Sequence, residues 1–96
     1  MSFEIRFSPE AEETYNSVVT QLRQRWGDAV VAKFEAKLLS ALEKIAENQF
    51  LYAVINDNLQ VRRCTLHKNV SVMYKVYENQ ALIVCFWDNR QQPLFF

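Results

Sequence analysis

The sequence predicts an α+β fold of order β-αα-βββ, with a helical hairpin packed on one face of a small, mainly antiparallel sheet. Three observations predict it. A short alternating run, Phe3-Glu4-Ile5-Arg6-Phe7, comes first. Two apolar stripes at helical spacing follow, separated by the only glycine, Gly27. Three β-rich runs then occupy Leu59–Leu66, Val70–Tyr77 and Ala81–Trp87, with three-residue gaps between them. Such short gaps between β-rich runs signal hairpins.

Each element has a local cause. Phe3, Ile5 and Phe7 alternate with charged residues, the period of a half-buried strand. Ser8-Pro9 starts the first helix, with a hydroxyl to cap it and a proline suited to its first turn. Glu10, Glu12 and Glu13 put negative charge at the positive end of the helix dipole. The stripe Ala11, Tyr15, Val18, Leu22 and Trp26 predicts the buried face, and Gly27 the stop. Asp28 is the expected cap of the second helix. That helix is expected from Ala29 to Glu47 or Asn48, on the stripe Val31, Phe34, Leu38, Ala41, Leu42 and Ile45. So short a joint makes an αα-hairpin, and the C-terminal sheet is the surface it has to cover. Residues 50–58 carry the weakest pattern. Asn56-Asp57-Asn58 reads as a turn, while Phe50, Leu51 and Tyr52 either extend the second helix or cover a sheet edge.

In the middle strand, Val70, Val72, Tyr74 and Val76 form the expected core face, and Ser71, Met73, Lys75 and Tyr77 the other. The last run, ALIVCFW, is apolar on both faces, so it is covered twice or lends a face to a partner. Arg62 and Arg63 are neighbours on the first of the three strands. Only one of them can share a face with Lys75, and the pattern leaves open which.

Ninety-six residues suit one domain, 1–96, that buries roughly 60–68% of its unfolded surface. Half the residues are hydrophobic, which excludes a disordered chain. The longest apolar run is far short of the roughly 18 residues of a membrane helix, and the mixed, charged start is unlike a signal peptide. A cytoplasmic protein is the expectation. Cys64 and Cys85 belong to the two outer strands of the meander, about 9.6 Å apart at two strand spacings, too far for a disulfide; they are expected as buried free thiols. Net charge is zero, with six basic against eight acidic groups in residues 1–48 and five against three in residues 49–96. This permits a local anion site and argues against a broad nucleic-acid-coating surface.

No phosphate-loop, dinucleotide, paired-cysteine or zinc-protease motif is present, and nothing calls for a metal or cofactor. The chemistry on offer is a basic set: Arg62, Arg63, His67, Lys68, Lys75 and Arg90. Arginine and lysine stabilise charge on a phosphoryl oxygen, and a histidine moves a proton near neutral pH. Attack of a 2′-hydroxyl on RNA needs both functions. The alternative for each residue is a solvated strand or turn position. These cations are expected to gather on or beside the sheet face opposite the helices.

The order of elements, together with Val61-Arg62-Arg63, Val72-Met73-Tyr74-Lys75-Val76 and Phe86-Trp87-Asp88-Asn89-Arg90-Gln91-Gln92-Pro93, resembles the RelE/ParE family of type II toxin–antitoxin toxins. The resemblance covers nearly the whole chain. Its ending looks like the R-x-x-P of ParE-like members and of relatives known as plasmid-stabilisation proteins. It implies a bacterial growth-inhibiting toxin held inactive by a cognate antitoxin. RelE-like members cut mRNA at the ribosome as metal-independent endoribonucleases; ParE-like members inhibit DNA gyrase. Carried over, the basic strand position of the nucleases falls on Arg62 or Arg63, the position at the start of the middle strand near His67 or Lys68, and the late arginine on Arg90. The catalytic Tyr or His that often ends the nucleases has no counterpart in Pro93-Leu94-Phe95-Phe96, and the neutral charge departs from the basic nucleases. Gyrase inhibition is therefore slightly favoured; mRNA cleavage and a non-toxic binding module are the alternatives. Phe86, Trp87, Leu94, Phe95 and Phe96 are the expected antitoxin-docking residues, costly to expose unless a partner covers them.

Overall fold

The computed structural model describes residues 4–67 and 70–88. In chain order the elements are β1 (Glu4–Phe7), α1 (Pro9–Trp26), α2 (Asp28–Glu47), β2 (Val54–Asn56), β3 (Val61–His67), β4 (Val70–Tyr77) and β5 (Gln80–Asp88). The strands form one sheet in the order β1-β5-β4-β3-β2. β3, β4 and β5 are the expected antiparallel meander, with Arg63 opposite Met73 and Val72 opposite Phe86. β1 joins its edge parallel to β5, with Ile5 beside Ala81.

The helices form where capping and patterning put them. Ser8 Oγ accepts from the Ala11 amide at 3.0 Å, capping α1, and donates to the Val84 carbonyl at 2.7 Å. That carbonyl is available because a bulge in β5 leaves Val84 without a partner residue on β4: Met73 faces Cys85 and Tyr74 faces Ile83. The bulge also rotates the pleat, so Ala81, Ile83 and Phe86 all reach the helical core. Thr14 continues the seam, accepting from the Phe86 amide at 2.9 Å. The start of α1 thus takes over the edge of β5 where β1 ends.

Gly27 is the whole joint between the helices, at φ 86°. Only glycine occupies that region at little cost. It is also the N-cap of α2, so the expected Asp28 cap is corrected: Asp28 is the first helical residue and makes no cap hydrogen bond. Its carboxylate accepts from Arg23 Nε at 2.9 Å, an exposed pair across the joint. The α2 stripe is buried as expected at Val31, Phe34, Leu38, Ala41 and Ile45. The α1 stripe is buried at Ala11 and Leu22, but Trp26, at the helix end, is 48% exposed.

Both helices cover one face of the sheet. Val70, Val72, Tyr74 and Val76 point into that core, as predicted. Phe86 is at its centre, with ring centroids 5.4 Å from Tyr15, 6.3 Å from Phe7 and 6.4 Å from Phe34. The opposite face has its own small cluster of Val61, Met73 and Cys85, flanked by Ile55, Val84 and Trp87. Cys64 and Cys85 are buried free thiols, and they face opposite sides of the sheet.

The weakly patterned stretch covers a sheet edge. α2 stops at Glu47, and β2 pairs with the start of β3. Two hooks hold the connection: the Tyr74 hydroxyl donates to the Gln49 carbonyl at 3.0 Å, and Arg62 Nη1 to the Tyr52 carbonyl at 2.7 Å. Asn56 forms the expected turn, its side-chain oxygen accepting from the Leu59 amide at 2.8 Å. Gln60 sits at φ 55° and ends that turn, so β3 starts at Val61 rather than Leu59. His67 and Gln80, expected in the gaps, are strand residues.

Candidate functional site

The basic residues on β3 divide by pleat. Arg62 lies opposite Tyr74, on the helix-covered side, and Arg63 lies opposite Met73, on the open side. This answers the question the sequence left open: Arg63 shares its face with Lys75. The two are diagonal neighbours, since Lys75 pairs with Val61. Arg63 is exposed and Lys75 half-buried, its ammonium 5.9 Å from the Tyr77 ring centre.

Arg62 is engaged within the chain. Besides the Tyr52 carbonyl, its guanidinium lies 5.1 Å from the centre of the Phe50 ring. His67 lies at the far end of β3, half-buried, with its ring centroid 6.5 Å from that of Trp26. At about 3.3 Å per residue, Arg62 and His67 are roughly 15 Å apart along the strand. That exceeds a Debye length of about 10 Å at 0.1 M salt. The expectation of one gathered cationic cluster is corrected for the described members: Arg63 and Lys75 share the open face, Arg62 is on the other, and His67 is beside α1. Lys68 and Arg90 lie outside the described residues.

The titratable groups with displaced pKa values all hold their protons. Burial, reinforced by donation to Glu35 Oε2 at 2.6 Å, pushes the Tyr15 hydroxyl up to about 12. Burial and a bond to the Cys64 sulfur do the same to Tyr52, also about 12. Burial raises Cys64 and Tyr74, and raises Cys85 to about 11. A thiol with a raised pKa is a poor nucleophile at neutral pH. Among the described residues, no group of three His, Cys, Asp or Glu is placed to hold a metal ion.

Of the docking candidates, Phe86 is 2% exposed inside the aromatic core, while Trp87 is half-buried on the helix-free face. Leu94, Phe95 and Phe96 lie outside the described residues. Tyr52 was not singled out by the sequence reading, because its stretch has neither helical nor strand period. In the structure it joins Arg62, Tyr74 and Cys64.

No protein-family model and no curated protein matches the sequence. Solved structures do match in fold. A chain of the chromosomal ParDE TA system from P. aeruginosa superposes with a TM-score of 0.74 at 11% identity, over 91% of this chain and 96% of that one. The YoeB dimer from Staphylococcus aureus gives 0.63 at 20% identity, over 91% and 97%. The E. coli DinJ-YafQ toxin-antitoxin complex gives 0.61 at 14% identity, over 94% and 96%. The chain shares the fold of these ParDE, YoeB and YafQ structures. Within that fold, this chain's two β3 arginines serve opposite faces. No helix among the described residues is long and apolar enough to cross a membrane.

Proposed function

We propose that this chain is the growth-inhibiting toxin of a type II toxin–antitoxin system, acting in the bacterial cytoplasm and neutralised by a cognate antitoxin. The observation that carries this reading is the likeness in fold over nine-tenths of the chain to the ParDE, YoeB and YafQ structures, the last of which is a toxin-antitoxin complex. The test is controlled expression in a bacterial host, alone and with the product of any small gene found beside its own. The reading requires arrested growth alone and recovery with the partner; unimpaired growth alone favours a non-toxic binding module.

Gyrase inhibition is the favoured mode. RNA cleavage by a 2′-hydroxyl needs cations and a proton carrier within reach of one phosphate. In this chain Arg62 is spent on holding Tyr52, Arg63 faces away from it, and His67 is a strand length from Arg62. The Arg90…Pro93 element is the ParE-like part of the sequence. A protein-binding inhibitor needs only a surface, and the open face offers Arg63, Lys75 and Trp87. Ribosome-dependent mRNA cleavage is the second reading, favoured by the presence of two arginines and a histidine on the one strand β3. A translating extract separates the two: cleaved mRNA on adding the protein selects the nuclease, and intact mRNA with blocked supercoiling selects the gyrase inhibitor.

A further inference from the structure

One end of the sheet gathers exposed apolar side chains. Among the described residues, seven large apolar side chains are exposed, and four of them, Phe50, Leu51, Leu59 and Tyr77, belong to this end. Phe50 and Leu51 follow α2, Leu59 precedes β3, and Tyr77 closes β4. Two contacts bring these segments together. The Tyr74 hydroxyl on β4 donates to the Gln49 carbonyl at 3.0 Å, and Val61, the first residue of β3, lies opposite Lys75.

A pocket of about 460 Å³ opens between these segments, within the roughly 300–1,000 Å³ of small-molecule sites. Gln49, Phe50, Gln60, Arg62, Tyr77 and Glu78 line it. Phe50 is 58% exposed and Tyr77 45%, so two aromatic rings are free to stack on a flat ligand. The Arg62 guanidinium lies 5.1 Å from the Phe50 ring centre and extends that platform. Its hydrogen bonds to the Phe50 and Tyr52 carbonyls use Nη1 alone, and a guanidinium carries five N–H donors. The Glu78 carboxylate is exposed, and among the described residues it makes no ion pair or hydrogen bond. No second acidic side chain lines the pocket.

These parts select a ligand class. Ring faces and a guanidinium plane suit a flat heterocycle, and the Gln49 and Gln60 amides can donate or accept at its edges. A carboxylate presents two acceptor oxygens, so it favours two N–H donors side by side. Guanine has such a pair in N1–H and its 2-amino group. Adenine sets an acceptor beside its donor, which would leave one carboxylate oxygen facing a lone pair. We infer that this pocket binds a guanosine monophosphate, with the base stacked on Phe50 and Tyr77, its N1–H and amino group donating to Glu78, and its phosphate on Arg62. The open-face surface of Arg63, Lys75 and Trp87 is a different part of the molecule. The nucleotide site therefore stands or falls apart from the toxin reading.

The probes are guanosine 5′-monophosphate, adenosine 5′-monophosphate and guanosine, each titrated calorimetrically into the purified full chain. The guanine nucleotide should bind about tenfold tighter than either of the others, and its advantage over guanosine should shrink with salt. The side-chain amide signals of Gln49 and Gln60 should shift in NMR spectra as it binds. Glu78→Gln, at an exposed position, should bring the two nucleotides within about twofold and leave the unfolding midpoint unchanged. Tyr77→Ala should weaken both by about tenfold through lost stacking. No binding at about 5 mM nucleotide, equal binding of the two nucleotides, or an undiminished preference in Glu78→Gln would overturn the inference. So would shifts at Arg63 and Trp87 in place of Gln49 and Gln60. A guanine-containing tetranucleotide that binds more than about tenfold tighter than the mononucleotide would overturn it too, since the ligand would then be a strand.

Discussion

Arg62 and Tyr52 are joined by a 2.7 Å hydrogen bond from the guanidinium to the carbonyl, and the next residue, Arg63, points through the opposite face of the sheet. Two adjacent arginines thus have separate tasks. Arg62→Ala removes a partly buried charged bond and the cover over Phe50, and should lower stability by about 1–2 kcal/mol. Lysine should restore little, lacking the planar fork. Arg63→Ala should change stability by less than about 0.5 kcal/mol. Urea unfolding of the three variants checks this; equal losses at 62 and 63 would contradict it.

The second prediction concerns Ser8. One hydroxyl caps α1 and also reaches the bulged Val84 carbonyl. Ser8→Ala should cost about 1–2 kcal/mol, the cap and a part-buried acceptor together. Ser8→Gly should recover much of the cap contribution, since glycine is a tolerated N-cap, but not the bond to Val84. Denaturant midpoints measure this, and a change below about 0.3 kcal/mol would mean that the bulge is held by other means.

Stability should fall at high pH. Tyr15 and Tyr52 titrate near 10 when unfolded and near 12 when folded, and Cys85 moves from 9 to about 11. A folded pKa raised above the unfolded one favours the protonated fold. The contribution is complete below the unfolded values and is lost as pH climbs from about 9 through 12. Tyr15→Phe should flatten part of that decline. Unfolding midpoints between pH 7 and 11 supply the test, and an equally steep decline in the variant would remove Tyr15 as a source.

Both thiols should resist reagents in the native state. Cys64 is 3% exposed and Cys85 2%, on opposite sides of β-sheet backbone. Mass spectrometry after brief alkylation should find neither modified in buffer and both modified in denaturant. Oxidation should leave the native chain without an internal disulfide.

The helices were legible because their signals are local. Ser8-Pro9, the glycine at 27 and two 3.6-period stripes each depend on a few neighbouring residues. The middle strand was legible for the same reason, its alternation setting Val72 and Tyr74 against Met73 and Lys75. The hidden features depend on distant partners. β2 is three residues long and carries no alternation, so only its pairing with Val61 and Arg62 makes it a strand. The partner of the bulged Val84 carbonyl is Ser8, seventy-six residues earlier. The division of Arg62 from Arg63 follows from β4.

The most direct test of the proposed mode is plasmid supercoiling by purified DNA gyrase in the presence of the purified chain. Supercoiling should fall with rising protein, fall equally with a His67→Ala variant, and recover when the partner protein is added. Full supercoiling at a large excess of folded chain would contradict gyrase inhibition.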